Sequence, residues 1–163
     1  MAIWVCRTGL NGQYEKTFFE NSCICLTREG FDFDLTKSEK DNVIKRIVEL
    51  NPEAARQTIS NTWSQINIFA EKMQVNDIVI IPKKNSTNIS VAIIKGSYCF
   101  DKSKVFPLNH SRKIKLLASD VDTTRFPQDI RYSLGAFRTV FGIRQEERLV
   151  DELKKAEVKF DEV

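Results

Sequence analysis

The chain has 163 residues, 42% hydrophobic and 29% charged, with 25 lysines and arginines against 22 acids for a net charge of +3. That length suffices to bury a core without disulfides or a metal, and the composition is too ordinary for a disordered segment. The apolar runs are short, as in Ile78-Val79-Ile80-Ile81, whereas roughly 20 such residues are needed to cross a bilayer, so no membrane association is expected.

In chain order, Ile3-Trp4-Val5-Cys6 reads as a strand, and Arg7-Thr8-Gly9-Leu10-Asn11-Gly12 as the glycine-punctuated loop that ends it. No basic n-region or long apolar h-region is visible in Met1–Arg7, so a cytoplasmic location is expected. An amphipathic piece around Tyr14, Phe18 and Phe19 leads into a second strand, Cys23 to Leu26. Ser38 with Asp41 resembles a capping box before a helix whose apolar face is Val43, Ile44, Ile47 and Val48. A second helix is predicted to start at Asn51 as N-cap, with Pro52 in its first position. Its stripe of Ile59, Trp63, Ile66, Ala70 and Met73 steps by four and three, the strongest periodic signal in the chain.

Two strands follow, Ile78 to Pro82 and Ile89 to Ile94, joined by a polar hairpin loop from Lys83 to Asn88, and then a strand over Ser111–Leu117. Val121 to Phe141 mixes turn signals with apolar residues, so no element is assigned there. The densely charged end offers a helical strip of Leu149, Val150, Leu153 and Ala156. This order predicts an α+β fold, a small mixed β-sheet or partly closed barrel with flanking helices. The expected division is a recognition domain over 1–143 and a charged C-terminal helix or tail over 144–163.

Several chemistries lack their residues. His110 is the one histidine, so neither a hydrolytic triad nor a histidine-rich zinc site is expected. Cys6, Cys23, Cys25 and Cys99 read as core thiols, with Cys23 and Cys25 on one face of a strand. No phosphate-cradling glycine motif occurs. The triplets Glu152-Leu153-Lys154 and Glu157-Val158-Lys159, with Asp129 upstream, match the E-x-K of metal-dependent nucleases. They fall in a charged surface helix rather than on a central strand, so the chain is not expected to be an enzyme, nor to hold a metal or cofactor.

Charge is more informative locally. Between Lys83 and Lys115 there are eight lysines and arginines and one acid, Asp101, interleaved with Tyr98, Phe100, Phe106 and His110. Two readings stand: solubilising loops, or a face that docks phosphates and stacks bases. Single aromatics divide similarly, since Trp4 and Trp63 suit a core as well as a ligand contact.

Taken in order, Ile3–Gly9, Ile59 and Asn61 with Gln65, Phe69 and Met73, Gln74–Pro82, and Tyr132–Phe137 resemble the N-terminal region that precedes the nuclease domain of Mrr-like bacterial restriction endonucleases. The first strand with its arginine loop, and the valine–small–aspartate turn before an apolar strand, also look like the wider PUA-like group with its EVE and YTH domains. Departures are Thr27-Arg28-Glu29-Gly30-Phe31 where the family has Gly-Trp, Thr62 where it has a second tryptophan, and Asn76 where it has glycine. The resemblance implies a non-catalytic module that binds DNA and reads a modified, flipped base in an aromatic pocket. Flipping costs roughly a few kcal/mol, which phosphate contacts offset in part. The pocket it implies joins Arg7, Thr8 and Gly9 to Lys95, Ser97 and Tyr98. Trp4 or Tyr98 would stack on the base, Arg7 would touch phosphate or a base edge, and His110, Arg112 and Lys113 would hold the backbone. Two other readings stay open: an RNA-binding PUA-like module, and an assembly module whose terminal helix docks a nuclease or ATPase subunit.

Overall fold

The computed structural model describes residues 1–160. Seven strands form one curled, mixed sheet, a half-barrel with flanking helices, as the α+β expectation required. The strands are β1 (Ile3–Cys6), β2 (Cys23–Cys25), β3 (Ile78–Pro82), β4 (Asn88–Ile94), β5 (Cys99–Phe100), β6 (His110–Asp122) and β7 (Val140–Gly142). Their order is β2-β6-β4-β3-β1-β7, with β5 beside the start of β6. β1 and β3 run parallel and every other pair is antiparallel. Register shifts between Ile89 and Ala92 break the β4–β6 ladder, and such irregularities bend a strand and increase its twist.

The sheet is apolar on both faces, because alternate residues of its central strands are all hydrophobic. Val79 and Ile81 of β3, with Cys6 and Ala92, enter a first core beneath α1 (Glu15–Glu20), α2 (Lys40–Leu50) and α3 (Arg56–Asn67). Ile78 and Ile80, with Ile3, Val5 and Val91, enter a second core beneath α4 (Gln128–Leu134) and α5 (Glu146–Lys155). The predicted terminal strip is a helix, and Leu149 and Leu153 are fully buried in that second core. α5 therefore closes the sheet, and the apolar strip that motivated a docking role is already covered, apart from the exposed Ala156. Among the described residues, no helix is long and apolar enough to cross a membrane.

Several helix ends differ from those the local sequence predicts. Asn51 ends α2, its N–H donating to Ile47 O, and α3 starts only at Arg56. Proline commonly follows a helix end because it cannot continue the helix, and Pro52 serves that purpose here. Ser38 does not cap α2 but ends the preceding 3-10 turn, its hydroxyl donating to Asp34 O, and Glu39 is the N-cap of α2. Val48 is exposed. Beyond α3 the stripe passes into a π-helical turn, Ile68–Lys72, which buries Ile68, Phe69 and Ala70 in succession.

Three of the four cysteines are the buried core thiols expected. Cys23 and Cys25 share a face with their sulfurs 3.6 Å apart, and both are buried along with Cys6. Burial pushes the Cys6 thiol up to about 12, so it stays protonated and unreactive. Cys99 is exposed.

Candidate functional site

The residues expected to form one pocket lie in two places. Arg7, Thr8 and Gly9 leave the C-terminal end of β1, which is also the end where parallel β3 gives way to Lys83. The β3–β4 hairpin then returns the chain to the start of β3, where Ile94 N–H donates to Asp77 O and Lys95 N–H to Lys113 O. Lys95, Ser97, Tyr98, His110, Arg112 and Lys113 therefore sit at the opposite end of β3 and β4. An antiparallel hairpin permits no other placement.

At that far end the polar groups satisfy one another. His110 is fully buried. Its Nδ1 lies 2.6 Å from Tyr98 Oη and its Nε2 lies 2.5 Å from Phe31 O. The arrangement that satisfies every atom has Tyr98 donating to Nδ1 while accepting from Leu35 N–H at 3.2 Å, and Nε2–H donating to Phe31 O. Burial lowers the pKa of His110 and raises that of Tyr98 to about 12, so both stay neutral. Tyr98 also packs edge-on against Phe69. The Arg112 guanidinium is buried and donates to Phe69 O at 2.7 Å and Ala70 O at 3.1 Å. It caps the carbonyls freed by the π-helical turn. Tyr98, His110 and Arg112 are thus committed to the fold rather than presented to a ligand, while Lys95, Ser97 and Lys113 remain exposed around them.

Trp4 is similarly engaged. Its indole N–H donates to Asp77 Oδ2 at 2.9 Å, and its ring packs against Gly142, its cross-strand partner. Asp77 also accepts from the N–H groups of Ala2 and Gln74.

The near end differs. The β1 loop, the β3–β4 hairpin loop and the C-terminal end of α4 enclose a cleft of about 460 Å³, within the size range of small-molecule sites. Two glycines shape it. Gly9 has φ +107°, and a Cβ there would lie 2.5 Å from Gln13 Oε1. At Gly12 a Cβ would come within 2.6 Å of Lys84 Cβ, so the two loops meet only because that side chain is absent. Arg7, Lys83, Lys84 and Arg131 line the cleft, and among the described residues no carboxylate does. Thr8 also lines it, is 1% exposed, and its hydroxyl has no partner among the described residues.

These cations are not equivalent. Arg7 was expected to meet a phosphate or a base edge, yet its Nη2 donates to Leu134 O and Ala136 O, at 3.0 and 3.1 Å, and its Nε to Arg138 O at 3.2 Å. It neutralises the negative end of α4, which would otherwise repel an anion. Burial lowers its pKa below the usual arginine value, but arginine remains protonated at neutral pH. Lys83 pairs with Asp120 at 2.8 Å, which raises its pKa. Lys84 and Arg131 are exposed, and neither takes part in the ion pairs of the described residues.

Exposed apolar side chains border this end: Leu10 in the β1 loop, and Tyr132 and Phe137 on and after α4, at 82%, 74% and 105% exposure. None was singled out from the sequence as a site, nor was Arg131. Tyr132 and Phe137 fall in a stretch that carries the family resemblance and stand beside arginines at 131 and 138, but without α4 that pattern had no face to sit on. Asp129, the acid set against the E-x-K triplets, is held by Arg148 in a bidentate pair at 2.5 and 3.0 Å.

The model of the family described as Domain of unknown function (DUF8426) matches residues 4–137. The chain belongs to that family. The matched span takes in the β1 loop, the hairpin loop and α4, and so contains the whole cleft lining. No curated protein and no solved structure is significantly similar to the chain.

Proposed function

We propose that this domain is a DNA-reading module that holds one modified nucleotide, flipped from its stack, in the cleft between the β1 loop, the β3–β4 hairpin and α4. The observation that carries this reading is the cleft's chemistry among the described residues: four cations, no carboxylate, and a buried hydroxyl with no partner, in a volume suited to a nucleotide. A phosphate would neutralise Lys84 and Arg131, which are in no ion pair among the described residues, and the glycine-rich loop admits close approach of a ligand to backbone. Thr8 Oγ1 would hydrogen-bond the held nucleotide, removing the cost of leaving a buried hydroxyl unsatisfied. The resemblance to the recognition region of Mrr-like restriction endonucleases supports the same reading and suggests a restriction or phage-defence setting. In this reading the module is not itself catalytic.

Labelled duplexes carrying unmodified, methylated or hydroxymethylated bases, titrated at several salt concentrations, test it. The expected result is salt-sensitive binding with a preference for at least one modified duplex. A methyl-sized discriminator contributes about 1–3 kcal/mol, so the preference should be moderate. Absent or equal binding to all duplexes at low salt would sink the proposal, and stronger competition by RNA would redirect it to an RNA-binding module.

A further inference from the structure

We infer that the cleft continues into a second subsite on the outer face of α4, which takes the nucleotide adjoining the one held in the first. The inference rests on the nucleic-acid reading of the cleft. A second hollow of about 340 Å³ is lined by Gln128, Arg131, Tyr132 and Gly135. These positions are spaced three, four and seven residues from the first, so they share one face of the helix and its C-terminal turn. Arg131 and Gly135 line both hollows, which makes them neighbours divided by the Arg131 side chain.

The chemistry of the second hollow suits a nucleotide. Tyr132 is 74% exposed, and its ring is in none of the aromatic pairs of the described residues. A large ring left in water beside a cation is a stacking platform without its partner. Gln128 adds a donor and an acceptor for a base edge, and Arg131 stands where a phosphate linking the two nucleotides would pass. α4 carries one acid, Asp129, and the bidentate pair with Arg148 holds its carboxylate away from this face. Arg7 neutralises the carbonyl end of the helix between the hollows. Charge complementarity thus favours a polyanion over an acidic-patch or purely apolar partner.

Thymidylate oligomers of one, two and three nucleotides, whose base carries a 5-methyl group, separate the two subsites in an NMR titration of the whole domain. Affinity should rise about tenfold from one nucleotide to two, as expected for one added stacking contact, and less from two to three. Tyr132→Ala should abolish that rise while leaving mononucleotide affinity unchanged, and Tyr132→Phe should keep it. A rise that survives Tyr132→Ala, or a loss shared equally by the mononucleotide, would overturn the second subsite. Mononucleotide binding with no rise at all would also overturn it, yet leave the first cleft standing. If neither these oligomers nor any modified duplex binds at low salt, the reading of the cleft fails and the second subsite with it.

Discussion

The two ends of the β3–β4 hairpin carry similar residue types and use them differently. At the His110 end, a tyrosine, a histidine and an arginine lie close together, and almost every polar atom among them meets a protein partner. At the Arg7 end, Arg7 is committed to α4, while among the described residues Lys84 and Arg131 enter no ion pair and the Thr8 hydroxyl has no partner. A cluster of cations and aromatics marks a binding site only where its hydrogen-bonding capacity is unspent. Satisfied, the same cluster is a device for burying polar groups and fixing a unique core.

Substitutions at the two ends should therefore separate stability from binding. The largest effect is expected from Arg112→Ala, which strands the carbonyls of Phe69 and Ala70. Unfolding in urea should show a loss of about 3 kcal/mol or more, with nucleic-acid affinity of the folded fraction unchanged. Reduced affinity with unaltered stability would erase the distinction between the ends. Tyr98→Phe removes the hydroxyl that bridges Leu35 and His110, and about 1–2 kcal/mol of stability should go with it. Tyr98→Leu, which removes the ring as well, should lose more stability yet bind every duplex like the parent once folded, an outcome that replaces the stacking role expected of Tyr98 from sequence with a structural one.

A pH series sharpens the comparison from another side. His110 is the chain's one histidine, and burial holds its pKa below the usual 6.5. As pH falls through 6.5, the unfolded chain takes up a proton there and the folded one does not, so stability must decline. One proton bounds the slope at about 1.4 kcal/mol per pH unit. Thermal melts between pH 7.5 and pH 5 should show the decline in the parent, and a flatter profile in His110→Gln. A parent Tm that holds constant over that window would show that His110 gains its proton in the fold. The smallest change in stability belongs to Lys84→Ala at the other end, within about 0.5 kcal/mol of the parent as for other exposed positions. It should nonetheless weaken binding to all sequences and reduce the salt slope of log affinity by about 0.7–0.9. An unchanged slope would remove Lys84 from the interface.

Period-two strands and strong helical stripes were legible in the chain because they record local geometry. β1, β3 and β4 fall at or within a residue of where the apolar runs put them, and the stripe from Ile59 to Met73 runs through α3 and its π-helical turn. β5, β7 and α4 were not legible, and β6 was legible only over Ser111–Leu117. β5 and β7 are two and three residues long, and β6 continues to Asp122 past an irregular, partly exposed stretch. α4 has only seven residues, and it is held by burial of Ile130 and Leu134 rather than by a strong periodic signal.

The amino-acid sequence by itself determined which segments bury apolar faces, that both faces of the central strands must be covered, and that a glycine loop follows β1. Tertiary structure decided which polar residues remain available. Whether Arg7 or Arg131 faces a ligand depends on which carbonyls lie within about 3 Å once α4 docks, and the chain order of the two arginines carries no trace of it. The hairpin likewise separates Lys84 from Lys95, eleven positions along one basic stretch, to opposite ends of two strands. Local sequence encodes the capacity for a hydrogen bond or a charge contact, and long-range packing determines whether that capacity is consumed.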